Sequence, residues 1–466
     1  MSHNSTHKRS SFTGSIGFVM AAAGSAVGLG NIWRFPYLAA KNGGGTFIFV
    51  YIILALTFGF ALLTTEIAIG RKTKQGPLTA YGVLNKKFAC TGLFAWLVPV
   101  IILPYYCTIG GWVLKYLFAY VTGDGVHAAA DGYFTGHITS QWSPIIWLVI
   151  YLGMTAFVVF SGVNKGIEKY SKIIMPILIV LILGISFFSL TLNHTDAEGV
   201  TRTGLEGLKI YLIPSFSGMT LKGFFSLLMD AVGQLFFSIS VAMGIMVAYG
   251  SYVKEDINLM KSINQIEFFD TLVAMLAGLM IIPAVFTFMG VEGMSAGPGL
   301  MFVSLPKVFE AMGSIGIFIG ILFFLMVTFA AVTSSVSVLE AIVSGIMDKW
   351  KFSRKKSTAL AAAYALVVGI IVCLGYNVFY FEYELPNGSV AQILDIMDYL
   401  SNNIMMPIVA ILTCILIGWV VKPKTIIDEV TKNGNTFGRK ELYIAMIKFI
   451  TPVFLVILLL QSLGLF

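Results

Sequence analysis

Residues 24–36 read Gly24-Ser25-Ala26-Val27-Gly28-Leu29-Gly30-Asn31-Ile32-Trp33-Arg34-Phe35-Pro36. They lie within an apolar run, residues 16–40, and about 20 such residues suffice for a helix to cross a bilayer. A lipid-facing helix would not have this composition: three glycines weaken it, and Asn31 and Arg34 bring polar groups to membrane depth. Irregular backbone is tolerated there only where it is packed in protein or lines a cavity. An ionisable side chain inside a span marks a functional position. The stretch is therefore expected to be an interrupted helix whose exposed carbonyls hold an ion or a small polar ligand. A nucleotide-binding glycine loop would need a preceding strand, and a membrane span precedes this one. Glycines serving close helix packing leave Asn31 and Arg34 unexplained.

The whole chain supports a membrane setting. Of its 466 residues 57% are hydrophobic and only 11% charged, a balance outside that of soluble domains. The net charge of +7 does not indicate a nucleic-acid partner, because the basic residues cluster in short loops between apolar runs, the positive-inside pattern. Cys90, Cys107, Cys373 and Cys414 fall in or at the ends of spans, so no disulfide framework is expected. The five histidines show no metal-ligand spacing. The polar N-terminal tail is followed by an apolar run far too long for a signal peptide.

Spans are expected near 16–40, 46–69, 93–121, 145–160, 170–190, 223–249, 268–289, 316–346, 358–374, 390–421 and 442–465, eleven in all. Lysine and arginine concentrate on the side that includes Lys8 and Arg9. The N-terminus is thus expected in the cytoplasm and the C-terminus outside. Outer loops at 122–143, 193–222 and 290–314 are candidates to cap an opening or are simple connectors.

A second interrupted span covers 230–252 and carries Gly233, Gln234, Ser238, Ser240 and Gly244. Broken helices at corresponding places in two halves point to a transporter's midplane site. Spans one and six correspond if the chain holds two inverted five-helix repeats plus one extra helix. The organisation expected is a tail at 1–13, a first repeat at 14–192, an outer loop at 193–222, a second repeat at 223–421, and a loop with the last span at 422–466. A third polar cluster, Thr333-Ser334-Ser335, sits in span eight. Lone hydroxyls in spans usually bond their own helix, but three in a row opposite two broken helices suit a hard cation, which prefers oxygen ligands.

The segment 24–36, followed by Asn42-Gly43-Gly44-Gly45, resembles the first-helix signature of the neurotransmitter:sodium symporter family. The resemblance extends to Glu66, Gly70-Arg71, Tyr105-Tyr106, Gly233 to Ser238, Thr333 to Ser335 and Leu394 to Asp398, and so covers essentially the whole chain. Eleven spans resemble the family's bacterial branch. The resemblance implies an all-α polytopic membrane protein of the LeuT fold, with spans one and six unwound at the midplane.

It also implies two sodium sites. One would use carbonyls of Gly24, Val27 and Ala330 with the hydroxyls of Thr333 and Ser334. The other would use the Ala26 carbonyl, Asn31, Ser238, Asp270 and the carboxylate of the substrate. Substrate residues carried over are Ala26, Gly28, Gly30, Ile102, Tyr106, Phe237, Ser238, Ser240, Met243, Ser334 and Val338, with Tyr106 donating to the substrate carboxylate. Monoamine transporters of the family have an aspartate where this chain has Gly28, so the vacated space suits an amino acid bringing its own carboxylate. Met243 is a flexible gap-filler that would admit several apolar or aromatic side chains. Arg34 and Asp398 would close the outer side. Arg9 and Asp348 would close the inner side, with Phe12 where the family usually has tryptophan.

Gly166 and Pro176 disfavour helix at the start of span five, so 166–176 is either a segment prepared to unwind or a plain loop-to-helix boundary. Asp270 stands where chloride-dependent relatives have asparagine, beside Tyr51, Gln234 and Ser238. A fixed carboxylate there would replace chloride, so no chloride requirement is expected.

The expected function is sodium-coupled symport of L-amino acids with apolar or aromatic side chains, by alternating access, in a bacterial plasma membrane. The expected partners are the amino acid, sodium and the lipid bilayer, and no nucleic acid. No nucleophile–base set or paired carboxylates suggest an enzyme. The alternatives are an amino-acid-gated channel, which would want a filter repeat, and a transporter-like receptor, which would want a sizeable cytoplasmic domain.

Overall fold

Nine continuous helices among the described residues are long and apolar enough to cross a membrane: Gly45–Thr73, Lys86–Val121, Ser143–Phe160, Val163–Leu190, Leu259–Met289, Ser314–Trp350, Arg354–Leu374, Ile393–Val420 and Lys440–Ser462. They are spans two to five and seven to eleven. The computed structural model describes residues 10–216, 219–293 and 298–465. Span one is a bent pair, Ser15–Ala26 and Gly30–Lys41, meeting at 54°. Span six is broken more severely: helix Leu221–Ser238, a non-helical stretch at 239–244, then helix Ile245–Ser251.

The interruption in span six begins later than its glycines suggest. Helix runs straight through Gly233 and stops after Ser238. The turn is made by Ser240 at φ 54° and Ala242 at φ 60°, as well as Gly244 at φ 70°. Two of the three left-handed residues thus carry a Cβ, an arrangement that L-residues adopt only under constraint.

Lipid tails provide no hydrophobic drive between helices, so small residues and close backbone approach do the packing. Gly70 and Gly250 show this. A Cβ on Gly70 would strike the Val247 carbonyl and the Ser251 amide, and one on Gly250 would strike the Ile67 carbonyl. Span two and the inner half of span six therefore touch backbone to backbone. Gly166 has the same role, because a Cβ there would collide with the Val158 carbonyl of span four. Its glycine is explained by packing. The expected weak start of span five is a π-helical turn, Val163–Glu168, and Pro176 lies inside the α-helix that follows, Lys169–Leu190.

Span eight lies at the centre, buried almost continuously from Ala330 to Ile346 and packed along span three. Outer surfaces of the other spans stay apolar and exposed, as at Phe157 and Val180, as a lipid-facing surface requires. The outer connections carry structure of their own. Helix Gly204–Leu212 opens with a capping box formed by Thr203 and Glu206. Two small antiparallel hairpins, Asn193–Thr195 with Thr201–Thr203 and Tyr383–Glu384 with Val390–Ala391, qualify the all-α expectation. The second also moves the start of span ten from residue 390 to Ile393.

Candidate functional site

The bend in span one leaves carbonyls without helical partners. The last regular bond there is Val27 N–H to Ala23 O at 2.8 Å, and Asn31 N–H returns only to Gly28 O at 3.2 Å. Side chains of other spans take up part of the freed carbonyls. Ser334 Oγ donates to Ser25 O at 3.1 Å and lies 3.4 Å from Val27 O. Ser240 Oγ donates to the same Ser25 carbonyl at 3.0 Å. Spans one, six and eight are thereby tied at one point.

Around this point lies an internal cavity lined by Ser25, Ala26, Gly28, Leu29, Gly30, Asn31, Ile102, Tyr106, Phe237, Ser238, Ser240, Met243, Ile245, Ser334 and Val338. All the substrate residues named from the sequence lie in its wall. Ser25, Leu29 and Ile245 also line it and were not named. Ser25 is polar in the middle of the interrupted stretch, which is a signal that could have found it; Leu29 and Ile245 carry none. The Tyr106 hydroxyl is buried with no hydrogen-bond partner among the described residues, and a Cβ on Gly28 would stand 3.3 Å from it and 2.8 Å from Ser334 Oγ. Phe237 closes over Gly30, where a Cβ would sit 2.7 Å from its ring. Gly30→Ala is therefore expected to displace that ring, weakening substrate binding at least tenfold while leaving the fold intact; equilibrium binding of a labelled amino acid to purified protein checks this.

Behind the cavity wall is a cluster of oxygen-bearing side chains. Asn31 Nδ2 donates to Ser238 Oγ and to Asp270 Oδ1, each at 2.9 Å, and Ser238 Oγ donates to Asp270 Oδ1 at 2.7 Å. Asp270 is 1% exposed. It sits well inside span seven, helix Leu259–Met289. Its second oxygen, Oδ2, has no partner among the described residues, nor has Gln234 Oε1. An unpaired buried carboxylate oxygen is costly, and a cation there would remove the cost. Ala26 lines the adjoining cavity.

The second proposed cation position is equally compact. Thr333 Oγ1 lies 3.0 Å from Ala330 O, and a Cβ on Gly24 would touch Thr333 Cβ at 3.3 Å. Gly24, Val27, Ala330, Thr333 and Ser334 are thus neighbours. Thr333 presently bonds its own helix, at Phe329 O and Ala330 O, as hydroxyls in spans commonly do.

Glu66 holds the turn in span six. Its Oε1 accepts from Ala242 N–H at 2.6 Å, inside the protein, and so pins one of the three left-handed residues.

The gates differ from expectation. Arg34 and Asp398 are close enough for their charges to act on one another, but no ion pair joins them among the described residues. Asp398 instead accepts from Asn402 Nδ2 at 2.6 Å, and the Arg34 guanidinium stands 5.9 Å above the Phe237 ring. Phe237, which covers Gly30, thus also carries the arginine over its ring. Arg9 lies outside the described residues. Asp348 accepts from Gly76 N–H at 2.5 Å. Phe12 is fully buried, edge-on to Tyr249 at 5.8 Å and near Phe18 at 5.6 Å. Beside it Thr13 bonds Glu168 through both its amide and its hydroxyl.

Comparison with known proteins agrees with this architecture. The family model described as the sodium:neurotransmitter symporter family matches residues 9–131 and 134–466. A sodium-dependent transporter of Bacillus subtilis, YhdH, is 34% identical over 458 residues, covering 96% of each chain. The human sodium- and chloride-dependent GABA transporter 2 is 25% identical, over 91% of this chain and 75% of that one. The crystal structure of MhsT in complex with L-phenylalanine superposes with a TM-score of 0.84 at 32% identity, over 98% of this chain and 100% of that one. The fold and the interrupted spans define a LeuT-fold membrane transporter. The chain belongs to the sodium:neurotransmitter symporter family and is a sodium-dependent symporter.

Proposed function

We propose that the protein couples sodium entry to uptake of L-amino acids with apolar or aromatic side chains, by alternating access around the central cavity and without chloride. The observation that carries this reading is the pairing of two unpartnered groups at an otherwise largely apolar cavity. The Tyr106 hydroxyl offers a donor beside Gly28, and Asp270 Oδ2 offers an anionic oxygen behind Asn31 and Ser238. A zwitterion fits that pair: its carboxylate accepts from Tyr106 and shares a sodium with the Asn31–Ser238–Asp270 cluster. A substrate that is itself a ligand makes sodium and substrate binding mutually dependent. Ile102, Phe237, Met243 and Val338 then surround the side chain. The relative solved with L-phenylalanine supports an aromatic or large apolar substrate.

A second sodium would be held by the carbonyls of Gly24, Val27 and Ala330 with Thr333 and Ser334. Half-helix ends in the broken spans suit both charges, N-termini the carboxylate and C-terminal carbonyls the cations. Inward release would begin where Phe12 and the Thr13–Glu168 contact cover the start of span five. In the membrane, the lysine and arginine distribution supports a cytoplasmic N-terminus and an outer C-terminus, in a bacterial plasma membrane.

The substrate carboxylate is the point to test. Purified protein in sodium should bind tryptophan and leucine, whereas tryptamine and isoamylamine should bind at least a hundredfold more weakly, since each lacks the oxygen the sodium needs. Equal binding of amine and amino acid would refute the reading.

A further inference from the structure

Away from the cavity, a groove opens between the ends of spans ten and eleven, on the side where lysines and arginines gather. Its floor is the meeting of two π-helical turns, Leu416–Val420 and Met446–Ile450. Gly418 permits their contact, since a Cβ there would stand 3.3 Å from Ile447 O and 3.4 Å from Lys448 Cα. Lys422, Lys424, Lys440 and Lys448 line the groove against a single carboxylate, Asp428. None of these five side chains has an ion pair or a hydrogen bond among the described residues. Several other cations on this side are matched, Arg439 with Glu267 at 2.8 Å, Arg354 with Glu340 at 2.6 Å and Lys432 with Glu429 at 3.0 Å.

Lys448 lies about two helical turns inside span eleven, and its ammonium stands 5.2 Å from the Trp419 ring centre. Trp419 in turn meets Phe449 edge-on at 5.6 Å, and the two are 56% and 55% exposed. A lysine at that depth without a counter-charge is costly. Aromatic pairs of this kind sit at the headgroup level of a bilayer.

We propose that the groove binds the phosphate of an anionic phospholipid from the adjoining leaflet. Lys448 and the three rim lysines would hold the phosphate, and the acyl chains would run over Trp419 and Phe449. A lipid is favoured over free phosphate because the groove opens sideways onto exposed apolar surface at Ile415, Phe449 and Val453. Basic pockets between spans recognise anionic headgroups in this way.

Native mass spectrometry of the full-length protein in detergent tests this, with dioleoylphosphatidylglycerol and dioleoylphosphatidylcholine as probes. The wild type should retain phosphatidylglycerol preferentially. Lys448→Gln should weaken that binding about fivefold, the effect of one lysine near an anionic surface, and Lys448→Arg should restore it. Lys422→Gln, Lys424→Gln, Lys440→Gln and Lys448→Gln together should erase the preference. Should the quadruple variant misfold, the Gln and Arg variants at residue 448 decide the question alone. Equal retention of phosphatidylcholine, unchanged binding by the variants, or displacement of the lipid by millimolar inorganic phosphate would overturn the proposal.

Discussion

Replacing Thr333 and Ser334 together with alanine is expected to abolish sodium-driven uptake while leaving folded protein in the membrane. The proposed sodium would see carbonyl oxygens of Gly24, Val27 and Ala330, which no substitution removes, and two hydroxyls, which this one does. A hydrogen-bond-type interaction with a charged group is worth about 1.5–3 kcal/mol. Losing two should weaken sodium binding by roughly a hundredfold or more. The fold should survive, because Thr333 bonds only its own helix and Ser25 O keeps its donor from Ser240 when Ser334 is lost. Uptake into proteoliposomes against sodium concentration checks this, with Thr333→Ser as the control that keeps the oxygen. Wild-type sodium affinity in the double variant would remove these residues from the site.

Asp270→Asn is expected either to stop transport or to make it depend on chloride. Asp270 is the one carboxylate in the Asn31–Ser238 cluster, and its Oδ2 is free to face a cation. At about 4 Å and an effective dielectric near 20, opposite unit charges attract by about 4 kcal/mol, enough to decide whether sodium binds. Asparagine keeps the shape and removes the charge. Tyr51 and Ser238 border the carboxylate, and one turn on stands Ala274, fully buried, with no hydroxyl to offer an anion. Wild-type uptake should therefore continue when gluconate replaces chloride, and the variant's should not. A wild type that fails in gluconate would refute the fixed-charge explanation.

What the sequence discloses depends on which residues carry a signal. Glycines and polar residues in an apolar run disclosed the break in span one, and Gly28, Asn31 and Ser334 could be placed at the cavity because polarity or missing side chains at membrane depth demand a reason. Span six was harder. The glycines nearest its break are Gly233, inside a regular helix, and Gly244, the end of the break, while the turn itself is made by Ser240 and Ala242. Neither residue type announces a left-handed backbone. Gly166 was ambiguous for a different reason, since a glycine reads alike whether it frees the chain or admits a neighbour's carbonyl, here that of Val158. Arg34 and Asp398 were recognisable as charges, but sequence does not report which rotamer pairs them, and here Asn402 and Phe237 compete.

The turn at residues 239–244 has a shape that its own sequence does not prefer. Each left-handed residue with a Cβ costs about 1–2 kcal/mol. The kink is imposed from outside, by Glu66 of span two on Ala242 and by Ser25 of span one on Ser240. Information about this segment therefore resides in its neighbours. A conformation held by hydrogen bonds from two neighbouring spans, against local preference, stays only while both holders keep their positions. Any movement of span one or span two is thus translated into the position of Ser240 in the cavity wall, so the segment behaves as a follower of its neighbours and not as an autonomous hinge.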